Sequence, residues 1–145
     1  MKLFRFMSLG EFQKYCNGEI LINNTNHKEN GQARNSIGFC FFNIADYKPE
    51  KILHSVTGIA NVSICAIFET KRENIIKSKG RYSRTIVSDN MNDELLLTRE
   101  IFIAKEYCTT TYSNENFKLL QWAIPDWFNE EEWEWKEGIE NEKIF

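Results

Sequence analysis

The chain is poor in residues that interrupt a fold, and it has no long apolar run. Only two of its 145 residues are proline and seven are glycine, which excludes a linker-rich or low-complexity protein. No stretch approaches the ~20 consecutive apolar residues of a membrane-spanning helix. The N-terminus lacks the basic, apolar and small-residue succession of a signal peptide. These absences predict a cytoplasmic protein.

The common catalytic and metal-binding motifs are also missing. There is no phosphate-binding glycine-rich loop, no G-x-S-x-G elbow and no H-E-x-x-H helix, which argues against P-loop hydrolysis, a serine hydrolase and a zincin. Two histidines and four scattered cysteines do not have the spacing of a zinc site. Cys16, Cys40 and Cys65 lie within apolar patterns, so we expect buried thiols and no metal.

What the sequence contains is enough apolar and aromatic material for one folded domain. Hydrophobic residues make up 42% and aromatic residues 14% of the chain, which is a globular composition. Strand-like and helix-like segments interleave without regular repetition, which predicts an α+β fold rather than a doubly wound sheet. We predict a single α+β domain over residues 1–125 and an acidic aromatic extension over residues 126–145.

The local patterns predict the following elements. Ser8 and Glu11 have the spacing of a capping box at the start of a helix that stops near Gly18. Pro49 is well placed to begin a second helix. We predict strands over residues 3–7, 36–42, 62–68 and 81–88, and two further strand pieces at 95–97 and 101–104. Residues 71–79 are predicted to form a basic helix or turn, and residues 113–123 a helix. A short acidic helix is predicted to start near Asp126 and to dock on the core through Trp127, Phe128 and Trp133.

Charge is unevenly distributed along the chain. Residues 126–145 carry eight acidic and two basic side chains, a net charge of −6, and the whole chain carries −3, so residues 1–125 carry +3. A slightly basic body suits a phosphate-bearing or polyanionic ligand, whereas the bland alternative is an ordinary solvated surface with a variable terminus.

Three polar residues are candidates for chemistry. Arg5 stands between two phenylalanines in the first strand, where its guanidinium could hold a phosphate through two parallel hydrogen bonds. Ser36 opens a strand after a long polar loop, and Glu94 precedes an aliphatic run. Taken singly, each has an ordinary explanation: an edge-strand arginine, a serine bonded to its own backbone, and a solvated turn carboxylate.

Taken together, the order of these residues resembles the Arg–Ser–Glu arrangement of the ADP-ribosyltransferases. The matching stretches are residues 3–6 (LFRF), 34–39 (RNSIGF) and 94–103 (ELLLTREIFI). The resemblance implies a compact split β-sandwich with flanking helices and NAD as cofactor. It implies Arg5 on the NAD pyrophosphate, Ser36 near the nicotinamide ribose, and Glu94 as the catalytic carboxylate of a glycosyl transfer to a macromolecular acceptor, a protein or a nucleic acid.

The chain departs from the family pattern at two places. Ile37 and Gly38 stand where the family usually has a threonine and a second serine. Asn92 stands where arginine-modifying members have an additional acidic residue, so the resemblance points to an acceptor other than arginine.

A non-catalytic function is the alternative. Residues 126–145 alternate acidic and aromatic side chains, and tryptophan and phenylalanine are favoured anchors of protein interfaces. A carboxylate-rich surface can also compete for basic nucleic-acid-binding sites. The second hypothesis is therefore a small acidic inhibitor or accessory protein, of the kind that phages encode, which binds a protein partner through this extension.

Overall fold

A computed structural model of the chain describes residues 1–22, 38–56, 62–88 and 97–138. This part of the chain contains helices α1 (Leu9–Cys16) and α2 (Pro49–Val56) and a single 3-10 turn at Arg72–Asn74. Its strands are β1 (Lys2–Met7), β2 (Leu21–Ile22), β3 (Phe39–Asn43), β4 (Ile64–Thr70), β5 (Lys77–Ser88), β6 (Leu97–Thr109), β7 (Thr111–Tyr112), β8 (Phe117–Ala123) and β9 (Lys136–Glu137).

Most of these strands form one antiparallel sheet. Seven strands lie in the order β5-β6-β3-β1-β4-β8-β9, and β2 pairs with β7 in a separate two-stranded ribbon. Every described strand pair is antiparallel. A largely antiparallel sheet with two helices confirms the α+β class.

The large sheet is covered on both faces. Leu3 and Met7 of β1 belong to one hydrophobic cluster with α1, whereas Phe4 belongs to a second cluster with α2. This division follows from the alternation of side chains along a strand. The interior strand β4, next to β1, is buried at each of its first five positions, which explains why this stretch of its sequence is continuously apolar.

Only one of the two hydrogen bonds of the predicted capping box is present at the start of α1. The Ser8 hydroxyl accepts a hydrogen bond from the Glu11 amide at 3.2 Å, as a helix N-cap does. The Glu11 carboxylate, however, turns into the protein and bonds to Arg5 and Tyr112. The arginine competes successfully for this carboxylate because a charge-assisted bidentate ion pair is stronger than a hydrogen bond to the Ser8 amide.

Several predicted elements are wrong or shifted. Residues 113–123 contain strand β8 rather than a helix, and residues 97–109 are one strand rather than two pieces. The pairing of β8 with β4 is irregular at one point: Ile67 of β4 is opposite Gln121 and the next residue, Phe68, is opposite Leu119, so β8 has a bulge there. The bulge places apolar residues of β8 on both faces, and the resulting spacing imitates that of a helix. The basic segment 71–79 contains one 3-10 turn before β5 begins.

The acidic segment after Asp126 does not form a helix either. Residues 124–135 run as turns and irregular chain, and β9 then joins the edge of the sheet beside β8. No helix within the described residues has the length and apolar character that a membrane crossing demands.

Candidate functional site

Arg5 on β1 is largely removed from solvent and is hydrogen-bonded to its neighbours. Its Nε and Nη2 atoms donate to the two carboxylate oxygens of Glu11 at 2.7 and 2.8 Å, and Nη1 donates to the carbonyl oxygen of Cys40 at 3.1 Å. The side chains of Arg5 and Glu11 are only 11% and 14% exposed. Three of the five N–H donors of the guanidinium are therefore committed within the protein.

Aromatic rings surround this ion pair. The guanidinium lies 5.2 Å from the ring centroid of Phe39 and 5.9 Å from that of Phe41, within cation–π range. The hydroxyl of Tyr112 donates to Glu11 Oε2 at 2.5 Å. Glu11 thus accepts three hydrogen bonds in a low-dielectric pocket, where each one is strengthened.

The electrostatics of the pocket favour a permanently charged Arg5. Burial by itself would lower the pKa of Arg5, but the charge of Glu11 and the hydrogen bonds to it dominate, and the pKa is raised. Burial and the nearby Glu11 carboxylate also raise the pKa of Tyr112 well above its ordinary value. Arg5 is therefore charged and the Tyr112 phenol neutral throughout the ordinary pH range.

The other two residues of the predicted nucleotide site, Ser36 and Glu94, lie outside the described residues. The predicted convergence of Arg5, Ser36 and Glu94 on one cleft stays a prediction. A phosphate that approached Arg5 would compete with Glu11 for the same guanidinium edge. Sequence reasoning missed Glu11 as this partner, although its helical spacing from the buried Tyr15 places both residues on the inward side of α1.

A second polar cluster joins β3 and β6. Cys40 lies directly opposite Cys108 in the strand register, and their Sγ atoms are 3.1 Å apart. The carboxylate of Glu106, only 1% exposed, completes a group whose potential ligand atoms all lie within 4.8 Å of one another. Two thiols and a carboxylate are a donor set that a soft divalent ion such as Zn²⁺ accepts. Among the described residues these are the ones that could hold a metal, and the sequence spacing gave no sign of them.

The third candidate is the acidic segment at the C-terminal end of the described chain. Trp133 is 4% exposed and lies in the same hydrophobic cluster as Phe4 and Leu53. Its indole nitrogen donates to the carbonyl oxygens of Asp126 and Asn129 at 3.2 and 2.9 Å. The predicted docking role of Trp133 is confirmed, and the indole hydrogen bonds close residues 126–133 into a compact loop, which we call the acidic loop.

Further hydrogen bonds fix the backbone of the acidic loop. Asn129 Oδ1 accepts from the Glu131 amide at 2.9 Å, and Asp126 Oδ1 accepts from the Phe128 amide at 2.9 Å. These are Asx turns, in which a side chain takes the place of a backbone acceptor. The loop is also bonded to the segment just before α2, because Lys48 Nζ donates to the Glu131 carbonyl oxygen at 2.6 Å. His54 Nε2 lies 2.7 Å from the carbonyl oxygen of Trp127.

Phe128 stands at the outer side of this anchored loop. It is 99% exposed, so its predicted role as a docking group on the core is wrong. An amide hydrogen bond holds its backbone while the ring meets only solvent. The exposed acidic side chains on the loop and just after it are Asp126, Glu130, Glu131, Glu132, Glu134 and Glu137.

Comparisons of the chain with protein-family models, with curated proteins and with solved structures give no match.

Proposed function

We propose that the protein is a non-catalytic interaction domain that binds the basic surface of a protein partner through the acidic loop. The observation that carries this proposal is Phe128, a fully exposed aromatic side chain on a loop whose backbone is hydrogen-bonded in place. An exposed phenylalanine is unfavourable in water, and a partner that buried it would recover the free energy of its transfer.

The loop has the two properties that make an effective anchor. It is preorganised by Trp133 and by its Asx turns, so little conformational entropy is lost on binding. Carboxylates surround the anchor, and their charge attracts and orients a basic partner. An inhibitor or accessory protein that covers a nucleic-acid-binding site would need this combination of an acidic surface and an apolar anchor.

Photo-crosslinking in cells of the native host tests the proposal. A photoreactive phenylalanine analogue at position 128 is expected to capture a partner, and the same analogue at Ile22, which is 63% exposed, is the matched control. Reversing charges on the loop and just after it in Glu130→Lys/Glu131→Lys/Glu134→Lys should abolish capture without unfolding the protein. Equal capture from both positions, or capture that survives the charge reversal, would contradict the proposal.

A second proposal follows from the sequence resemblance: NAD-dependent ADP-ribosyl transfer in a compact split β-sandwich. Its support is the order of Arg5, Ser36 and Glu94 in the chain. In this reaction the nicotinamide leaves with the electron pair of its bond to ribose, and an acceptor nucleophile attacks the ribose carbon. Glu94 would stabilise the positive charge that develops on the sugar.

Calorimetric titration with NAD, followed by an assay for nicotinamide release, tests this second proposal. We expect Glu94→Gln to abolish turnover, with Glu73→Gln, an exposed carboxylate on the 3-10 turn, as the control. Arg5→Ala is a poor probe because it also leaves Glu11 buried without its partner. Absence of NAD binding at millimolar concentration would reject the transferase hypothesis.

A further inference from the structure

Cys40 and Cys108 have the geometry of a disulfide before any disulfide is formed. They are directly opposed in the antiparallel pairing of β3 with β6. The Cα atoms of opposed residues in such a ladder are about 4.5–5.5 Å apart, which lies inside the range of about 4.4–6.8 Å that a disulfide requires. Both residues are reduced thiols, and their Sγ atoms are 3.1 Å apart.

We propose that Cys40 and Cys108 are a redox modification site, which closes into a cross-strand disulfide when the protein meets a small organic disulfide such as oxidised glutathione. Cys40 is the half-buried member of the pair, whereas Cys108 is fully buried. Cys40 is therefore the cysteine that a reagent reaches first, and Cys108 resolves the intermediate.

The reaction balances as two thiol–disulfide exchanges. The Cys40 thiolate attacks one sulfur of oxidised glutathione, and a mixed disulfide forms as one glutathione thiolate leaves. The Cys108 thiolate then attacks the Cys40 sulfur and expels the second glutathione. Two cysteine thiols are oxidised, one glutathione disulfide is reduced to two thiols, and the two protons from the cysteines end on the departing glutathiones.

The position of the pair gives the modification a structural consequence. Strands β5 and β6 pair along all twelve residues of β5. In the described part of the chain, β6 is paired with β3 by three residue pairs only, and Cys40–Cys108 is the middle one. A disulfide at this point would fasten the long β5–β6 hairpin covalently to the rest of the sheet.

Charged groups lie close to the pair. The Glu106 carboxylate is within 4.8 Å of both sulfurs, and the Arg5 guanidinium donates to the Cys40 carbonyl oxygen at 3.1 Å. On the β5 side, Lys77 is opposite Cys108 and Lys79 is opposite Glu106 in the register. Because exchange needs a thiolate, the disulfide should form slowly at neutral pH and faster as the pH rises.

The test is a count of free thiols in the intact protein after incubation with oxidised glutathione at alkaline pH, with alkylation under denaturing conditions. The wild type should fall from four free thiols to two, and peptide mapping should find Cys40 joined to Cys108. Cys16→Ser, a half-buried cysteine elsewhere, should lose two thiols in the same way, whereas Cys108→Ala should stop at a glutathione adduct on Cys40.

Thermal unfolding of the oxidised and reduced wild type is a second test of the disulfide, and it needs no variant. The oxidised wild type should unfold about 5 °C or more above the reduced protein, because the bond closes a long loop between residues 68 positions apart. Four thiols that remain free, a linkage that includes Cys16 or Cys65, or a bond between two chains would overturn the proposal.

Discussion

Buried polar side chains decide much of the stability at the scale of single residues. The ion pair between Arg5 and Glu11 is almost entirely removed from water, and Tyr112 adds a third hydrogen bond to the same carboxylate. Removing one partner from such a group leaves the other charged and unsatisfied in a low dielectric, which is costlier than the loss of the bond itself.

Glu11→Gln should therefore destabilise the protein strongly. We expect the free energy of unfolding to fall by about 3 kcal/mol, because the amide leaves the buried Arg5 charge uncompensated. Urea denaturation measures the loss. Glu19→Gln, at an exposed position three residues beyond the end of α1, is the matched control and should change stability by less than ~0.5 kcal/mol. Equal denaturation midpoints for the two variants would contradict the assigned role of Glu11.

Because the hydroxyl of Tyr15 is buried, we expect the protein to lose stability at alkaline pH. Its hydroxyl donates to the Phe117 carbonyl and accepts from the Leu119 amide, and burial raises its pKa from 10.0 to about 12. The folded protein keeps this proton where the unfolded chain releases it, so stability falls as the pH rises from 10 to 12.

Tyr15→Phe checks this assignment. The variant should lose ~1–3 kcal/mol at neutral pH, since the Leu119 amide is left without its acceptor. It should also lose less additional stability than the wild type between pH 10 and 12, a difference that urea midpoints at several pH values can measure. Parallel pH profiles for the two proteins would show that Tyr15 does not titrate as assigned.

At the scale of elements, the entry into β3 depends on a glycine. Gly38 has a φ of +71°, and a Cβ atom there would collide with the carbonyl group of Thr109 on β6. Both the left-handed backbone and the close approach exclude a side chain. This requirement accounts for glycine at one of the two positions where the chain departs from the transferase serine motif.

Gly38→Ala should cost at least ~2 kcal/mol, because backbone strain adds to displacement of β6. Gly10→Ala is an informative control. Gly10 lies within α1, and a Cβ atom there meets nothing within 4 Å, so alanine should stabilise the helix by roughly 0.5–1 kcal/mol. Thermal unfolding of the two alanine variants should thus move in opposite directions; a shift in the same direction would refute the steric argument.

Two aromatic residues of the acidic loop have different roles: Trp133 is buried in the core and Phe128 is exposed. Trp133→Ala should lower the free energy of unfolding by about 3 kcal/mol or more, since it opens a cavity among Phe4, Phe6 and Leu53 and removes two hydrogen bonds. Phe128→Ala should leave stability within ~0.5 kcal/mol of the wild type. Chemical denaturation distinguishes them, and a large loss in Phe128→Ala would place that ring in the core rather than at an interface.

At the scale of the whole molecule, opposite charges are carried by different parts of the chain. The extension over residues 126–145 holds −6 and residues 1–125 hold +3. Residues 126–138, the described part of the extension, are bound to the body through Trp133 and through β9. The acidic side chains of these residues are therefore presented from a fixed position on the sheet.

Partner binding through this surface should depend on salt. Raising the ionic strength from about 0.05 to about 0.2 M shortens the Debye length by about half, so the yield of photo-crosslinking from position 128 should fall. Binding that depended on the apolar anchor alone would be insensitive to salt. A crosslinking yield that rose or stayed constant would remove the electrostatic part of the proposal while leaving the anchor to be tested by Phe128→Ala.

The sequence determined by itself what depends on neighbouring residues. The alternation of β1, the apolar run of β4, the N-cap at Ser8 and the helix start at Pro49 were all predictable, because strand period, burial on two faces, capping and proline geometry leave local signatures. The resemblance of the Arg5, Ser36 and Glu94 segments to transferase motifs is also a property of the sequence, and it stays a prediction.

Only the tertiary structure decided what distant residues do to one another. Strand pairing selected the strand β8 over a helix, because the partner strand and a bulge override a local helical spacing. Pairing also set Cys40 against Cys108, and packing gave Arg5 its partner Glu11 and left Phe128 exposed beside a buried Trp133. These contacts join positions whose proximity depends on how the whole chain closes, and no local pattern encodes that.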